Sequence, residues 1–338
     1  MKPNKNMFIG AALLCAGAAF GAPAYKLTKV VPLGAPDPWD YVVFSAETGR
    51  VYVAHGDRVT VVDAGSAEIV GQVEGIPGGT HGTAISAETG QGFTDDGRNG
   101  QAVAFDLKTL KVTRRIAADL DADAITVDQA TGDIFVFEGD PGAITVIDPA
   151  TDTVTATIKV GEKLEYGATD DKGMIYVAGE QKNDLLKIDA HTNKVIARWP
   201  AKGCTSPRGL AIDQAGRRLF MACGNRVMMV MDADAGRVVA RLAIGKGNDA
   251  VAFDLNRKRV FSANGIDGTV TVYQQVSPDS YEALEPITTA ASGRTMAVDP
   301  ASGRLFVPAA DTDPSPTPGG WPRPRPGTLK LLVLDPIR

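Results

Sequence analysis

Hydrophobic and polar positions recur along this chain in a fixed rhythm. Short apolar runs closing on a polar residue return throughout: Y-V-V-F-S ending at Ser45, G-T-A-I-S at Ser86, A-I-T-V-D at Asp128, Y-G-A-T-D at Asp170, G-L-A-I-D at Asp213, A-V-A-F-D at Asp254 and T-M-A-V-D at Asp299. The steps between them are 41, 42, 42, 43, 41 and 45 residues. A turn follows each run, such as A-E-T-G-R at 46–50 or P-A-S-G-R at 300–304, with glycine supplying the freedom a tight connection needs. Next comes a second apolar run (V-Y-V-A, I-F-V-F, I-Y-V-A, L-F-M-A, V-F-S-A, L-F-V-P), then a third ending mostly in aspartate, as in V-T-V-V-D at 59–63 and L-L-V-L-D at 331–335. A fourth alternates, as in T-V-T-A-T-I-K-V at 153–160. These runs are too short for helices and rich in Val, Ile and aromatic residues, so they predict strands. Four antiparallel strands per ~42 residues is the pattern of a β-propeller blade.

The seventh copy has three strands and stops at Arg338, while Y-K-L-T-K-V-V-P-L-G at 25–34 is a strand without a copy of its own. Pairing the two predicts an all-β, seven-bladed β-propeller, one domain over 25–338, with the last blade closed by the N-terminal strand. Closure also removes the open sheet edges that template aggregation. Ahead of it, Lys2 and Lys5 precede an apolar stretch at 7–22, and Ala22-Pro23-Ala24 offers a small-residue cleavage site. That is the layout of a secretory signal peptide over 1–24. The stretch is too short and too rich in Gly and Ala for a membrane anchor. No later segment is apolar enough to span a bilayer, so a soluble periplasmic or secreted protein, monomeric, is expected. Of the three cysteines, Cys15 lies in the signal segment. Cys204 and Cys223 remain, and in an oxidising compartment they are read as one disulfide. A thiolate metal pair would call for a C-x-x-C spacing or an adjacent histidine.

Charge narrows the partners. The chain has 35 Lys and Arg against 40 Asp and Glu, a net −5, which argues against a nucleic-acid protein built on bulk positive charge. Y-V-A-H at 52–55 and its equivalents resemble the YVTN-repeat propellers. The wider pattern of C-T-S-P-R-G-L-A-I-D (204–213), R-L-F-M-A-C-G-N (218–225) and A-I-G-K-G-N-D-A-V-A-F-D (243–254) resembles the YncE-like exported bacterial propellers, over essentially all of the chain after the signal segment. The resemblance implies fold and export, with a ligand-binding role. One member type binds single-stranded DNA, but the acidic balance gives that no support here, and nucleic acid is not expected.

Counting back five residues from each repeat position gives the residue opening each inner strand: Asp40, His81, Asp123, Glu165, Arg208, Asp249 and Arg294. All seven are ionisable. Two readings stay open, a structural ion-pair network and a ligand site at the mouth of the axial channel. The loops joining strands two and three should add a rim on the same, top face: His55, Asp96, Glu138, Gly179, Cys223, Asn264 and Ala309. Blades one and two would then bring His55, His81, Asp40 and Asp96 together, a candidate divalent-metal set or an acid–base pair. No cofactor is expected beyond such an ion. The sequence carries no G-x-S-x-G, H-E-x-x-H or P-loop motif. The expectation is a binding or interaction protein taking a small polar ligand or a protein partner. The alternative is a metal-assisted hydrolase or lactonase with His55 and His81 as ligands or bases and Arg208 and Arg294 as anion binders. Blade seven also carries a Pro-rich insertion at 311–327, in which Trp321, Arg323 and Arg325 offer stacking and positive charge over the channel mouth.

Overall fold

The computed structural model describes residues 24–337; residues 1–23, with most of the segment read as a signal peptide and Cys15, lie outside the described residues. The apolar second and third runs of each repeat become the buried middle of a sheet. Arg218–Cys223, for instance, is buried at every position after the first. The alternating fourth runs become outer strands, and Lys194–Pro200 alternates exposed with half-buried residues.

Seven antiparallel blade sheets result, beside one two-stranded hairpin. Blade one is Val42–Ser45, Arg50–His55, Arg58–Asp63 and Ile69–Val73. Blades two to five open with Thr83–Ser86, Ala122–Val127, Leu164–Thr169 and Pro207–Asp213, and repeat the four-strand meander. Blade six opens with Asn248–Asp254 and departs at its outer edge. Its third strand, Thr269–Ser277, runs long, and Ser280–Ala283 and Ile287–Thr288 share the fourth place. That hairpin accounts for the longest repeat step. In blade seven, Ala297–Val298, Leu305–Ala309 and Lys330–Pro336 are completed by Tyr25–Pro32, paired from Tyr25 with Pro336 to Pro32 with Lys330. Each inner strand contacts the next, and that of blade seven contacts those of blades six and one, so the ring is closed. No helix among the described residues is long and apolar enough to cross a membrane.

The core lies between neighbouring blades, where Phe105, Phe137, Phe220, Phe261 and Phe306 are fully buried. The repeat aspartates serve the bottom face, where strands one and two, and three and four, are joined. Asp106 accepts the backbone N–H of Lys108 and Thr109 at 3.1 and 2.7 Å, and Asp232 accepts those of Asp234 and Ala235 at 3.0 and 2.9 Å. Aspartate turns of this kind give the backbone the partners the ladder cannot. Fully buried Asp128 also reaches the next blade, accepting from Thr169 Oγ1 at 2.6 Å and from the Gly173 N–H at 3.3 Å.

Cys204 and Cys223 form a disulfide that ties the loop entering blade five to the end of its second strand. The strand register places Pro207 opposite Cys223, which leaves Cys204 a short loop away.

Candidate functional site

The inner strands deliver the seven ionisable positions to one end of the axis. Asp40, Asp123, Glu165, Arg208, Asp249 and Arg294 line a cavity of about 400 Å³, together with Tyr41, Lys163 and Trp321. An adjoining cavity of about 520 Å³ shares Asp40 and Arg294 and adds His81, Trp39, Pro36, Pro38 and Pro77.

Pairing among these groups is uneven. Arg294 donates from Nε to Asp249 at 2.8 Å and from Nη2 to the Trp39 carbonyl at 2.8 Å, and lies 3.4 Å from Asp40. Its guanidinium also sits over the Trp39 ring, 5.6 Å from the centroid. His81 bonds through Nδ1 to Asp95 at 2.8 Å, and Asp95 further accepts the backbone N–H of His81 and Gly82. Glu180 accepts from Ser206 Oγ and lies 2.9 Å from Lys163 Nζ. On the other side, Glu165 comes no nearer than 3.7 Å to Lys163 and hydrogen-bonds Glu180 instead. Arg208 stands 3.7 Å from Glu180 and 4.0 Å from Asp249, and its buried Nε has no partner among the described residues. Half-buried Asp123 makes no side-chain hydrogen bond among the described residues.

Acidity follows from this arrangement. Burial pushes Asp40 up to about 7, helped by Asp249 and opposed by Arg294, and pushes Asp123 up to about 6. Glu165 rises to about 9 through burial and the carboxylates of Asp123, Asp249 and Glu180. Burial alone would lower His81, but the bond from Asp95 outweighs it and raises the imidazole to about 10. Glu180 is held down to about 2 against its burial by Ser206 and Lys163. At neutral pH Glu165 therefore carries a proton and His81 a positive charge.

The mouth has a floor. Tyr41 of blade one and Tyr166 of blade four each follow a ring position, and their rings meet at 4.5 Å between centroids. Burial raises the pKa of both phenols and keeps them neutral. It also has a partial roof. The insertion forms a small hairpin of Thr312–Asp313 with Arg323–Pro324 and brings Trp321 over Gly265, where a Cβ would stand 2.7 Å from Trp321 Cζ3 and 2.9 Å from Arg294 Cβ. Trp321 remains 40% exposed, so it flanks the opening instead of burying itself in the body. Arg325, expected to add free positive charge there, is paired with Asp313 at 2.7 Å.

Two expected members lie elsewhere. His55 is 0% exposed; its Nδ1 bonds Thr60 Oγ1 at 2.8 Å and its Nε2 the carbonyls of Pro36 and Gly34 at 2.6 and 3.1 Å. It fastens the segment leading into blade one and is not beside His81. Asp96, also 0% exposed, accepts from Asn99 at 3.1 Å and Arg115 at 3.3 Å inside its own blade. The rim expectation fails for one physical reason: these strand-end side chains turn into the blade and bind its third strand or the adjoining loops. Glu138 likewise accepts from Thr145, and Asn264 donates to Thr269 and Thr271. The grouping found instead is Asp40, His81 and Asp123, whose ligand atoms lie within 4.8 Å of one another.

No family model matches the chain. YncE of Escherichia coli O157:H7 is 23% identical over 225 residues, covering 63% of this chain and 58% of that protein's length. Among solved structures, the WD40 repeats of RRP9 align with a TM-score of 0.76 at 11% identity over 94% of this chain and 99% of that one. A chain of Kuenenia stuttgartiensis hydrazine synthase aligns at 0.69 with 13% identity over 82% and 92%. Identities this low speak for the fold alone. In sequence and in architecture together, the chain is a seven-bladed β-propeller similar to YncE, a fold suited to binding or interaction.

Proposed function

We propose that the protein is an exported binding protein that takes a small polar ligand in the mouth of its axial channel. One observation carries the reading. A self-sufficient ion-pair network would leave no member over, yet Arg208 Nε is buried without a partner and Asp123 shows no hydrogen bond among the described residues. Unsatisfied buried polar groups are costly and rare, and a functional role is one of their explanations. A ligand carrying both an acceptor for Arg208 and a donor for the carboxyl side would relieve both. The volume of the mouth and the tyrosine floor favour a small molecule over an inserted chain. Export is supported by the signal-like segment at 1–24 and by the disulfide. The hydrolase alternative loses His55 as a base or ligand, because that ring is already engaged three times away from the mouth.

The test is a thermal-shift screen of zwitterionic and polyhydroxylated compounds, repeated on Arg208→Met. A compound that stabilises the wild type and not the variant supports the mouth. Compounds that bind both proteins equally, or no stabilising compound at all, would turn the reading toward a partner on another surface.

A further inference from the structure

We infer that the side of the mouth built by blades one to three is a binding site for a divalent transition-metal ion, held by Asp40, His81 and Asp123. The inference rests on the reading of the mouth as a binding site and names a cation it would take. One nitrogen and two carboxylate oxygens lie within 4.8 Å of one another. An ion ~2.1 Å from each of three tetrahedral ligands sets them ~3.4 Å apart, so carboxylate rotations that draw the atoms together by about an ångström or somewhat more complete the set.

A second feature is independent of that cluster. His81 is held as metal-ligating histidines are held, with the far ring nitrogen on a carboxylate. Asp95 is fully buried and fixed by the backbone N–H of His81 at 2.9 Å and of Gly82 at 2.7 Å, and it takes Nδ1 at 2.8 Å. Gly97 closes on the ring from the side, since a Cβ there would stand 2.7 Å from His81 Cε1. With Nδ1 taken by Asp95, Nε2 is the ring nitrogen left to face the mouth, and a cation bound there displaces its proton. Asp123 has no hydrogen bond among the described residues and Asp40 only a 3.4 Å approach to Arg294, so neither must break a strong bond to ligate. Imidazole with carboxylates and no thiolate suits Zn²⁺, Co²⁺, Ni²⁺ or Mn²⁺ more than Ca²⁺ or Mg²⁺, which prefer oxygen alone. Three protein ligands leave the remaining positions open to the cavity.

Isothermal titration of the EDTA-stripped, tag-free protein with Zn²⁺, Mn²⁺ and Mg²⁺ tests this. The expected result is one Zn²⁺ or Mn²⁺ per chain, at least tenfold weaker in Asp123→Asn and in His81→Gln, with Mg²⁺ at least a hundredfold weaker than the preferred ion. Circular dichroism melts show that both variants fold. Absence of 1:1 binding to the wild type, or affinity unchanged in both variants, overturns the site. Running the polar-ligand screen in EDTA separates the two readings. A ligand found there while no metal binds sinks the metal site and leaves the mouth standing; if neither binds, both fall.

Discussion

At the bottom of blade two, Asp106 takes two backbone N–H groups, while at the top of blade three Asp123 takes none among the described residues. The same contrast recurs at several positions. Bonds from the backbone of Ser66, Thr109 and Ala235 hold Asp63, Asp106 and Asp232 below the usual carboxylate range, whereas burial lifts Asp40, Asp123 and Glu165 above it. One residue type therefore does two jobs in one repeat. Bottom carboxylates satisfy turns and stabilise the fold as anions; top carboxyls resist ionisation and weaken the empty fold when they do ionise. Groups maintained at such a cost are where function is expected.

Four experiments break or sharpen this contrast. The largest effect should come from the covalent tie that holds the top loop of blade five, where charge pairing is loose. Replacing both Cys204 and Cys223 by Ser should cost about 3 kcal/mol in urea unfolding, as a 19-residue separation implies on the chain-entropy model. A loss under about 1 kcal/mol would mean that the loop is held by other contacts.

Next, Asp128→Ala should cost about 2–3 kcal/mol, because it strands donors in two blades, while Asp123→Ala should cost under about 1 kcal/mol. Equal losses would erase the distinction between the faces.

Third, Glu165→Gln should stabilise the protein. The folded pKa, about 9, lies above the unfolded value of about 4.3, so the native state holds a proton that the unfolded chain releases between those limits. Wild-type stability from this group falls as pH rises through that window. Lys163, Glu180, Arg208, Asp123 and Asp249 surround it and are unchanged by the substitution. The gain should be on the order of 2 kcal/mol at pH 7 and vanish near pH 4. Melts at the two pH values check it, and a gain that persists at pH 4 would exclude the carboxyl as its source. The bottom aspartates act in the opposite sense, losing their contribution as pH falls through their lowered values.

The smallest change in stability should follow replacement of 313–326 by a short Gly-Ser link, below about 0.5 kcal/mol because surface loops exchange length cheaply. Affinity for a ligand identified at the mouth should nevertheless fall about tenfold with the loss of Trp321, or ~1.4 kcal/mol. Unchanged affinity would make the hairpin a tolerated insertion.

Blade count and closure by residues 25–32 were legible because both follow from strand spacing, a signal that survives without any knowledge of packing, and the disulfide because only two cysteines follow the signal segment. The inner ring was legible for the same reason: seven equivalent positions share one register, so a count places them all at one end. His55 and Asp96 were misplaced because side chains alternate along a strand, and the last residue of the second strand turns into the blade. Asp95, one residue earlier, faces the other way and supports His81; the adjacent T-D-D in the sequence was the available signal. Tyr41 and Tyr166 follow ring positions that in the other five blades are followed by Gly82, Ala124, Gly209, Ala250 and Thr295. Bulk at two of seven such positions was a readable sign of a plug. Lys163 and Glu180 had no such regularity around the ring; the hairpin of blade four, which pairs Leu164 with Gly179, sets both beside Glu165.

The shared seventh blade also sets the order of events in time. Thr28 bonds Val333 across 305 residues, so this strand meets its partner only after the six intervening blades have been made. Until then it is an edge without a neighbour, and the ring stays an open arc whose end blades lack one flank. Contacts of such sequence separation make folding slow and leave the waiting edge available for wrong pairings. The seam that makes the finished ring hard to open is therefore also the step on which its assembly depends.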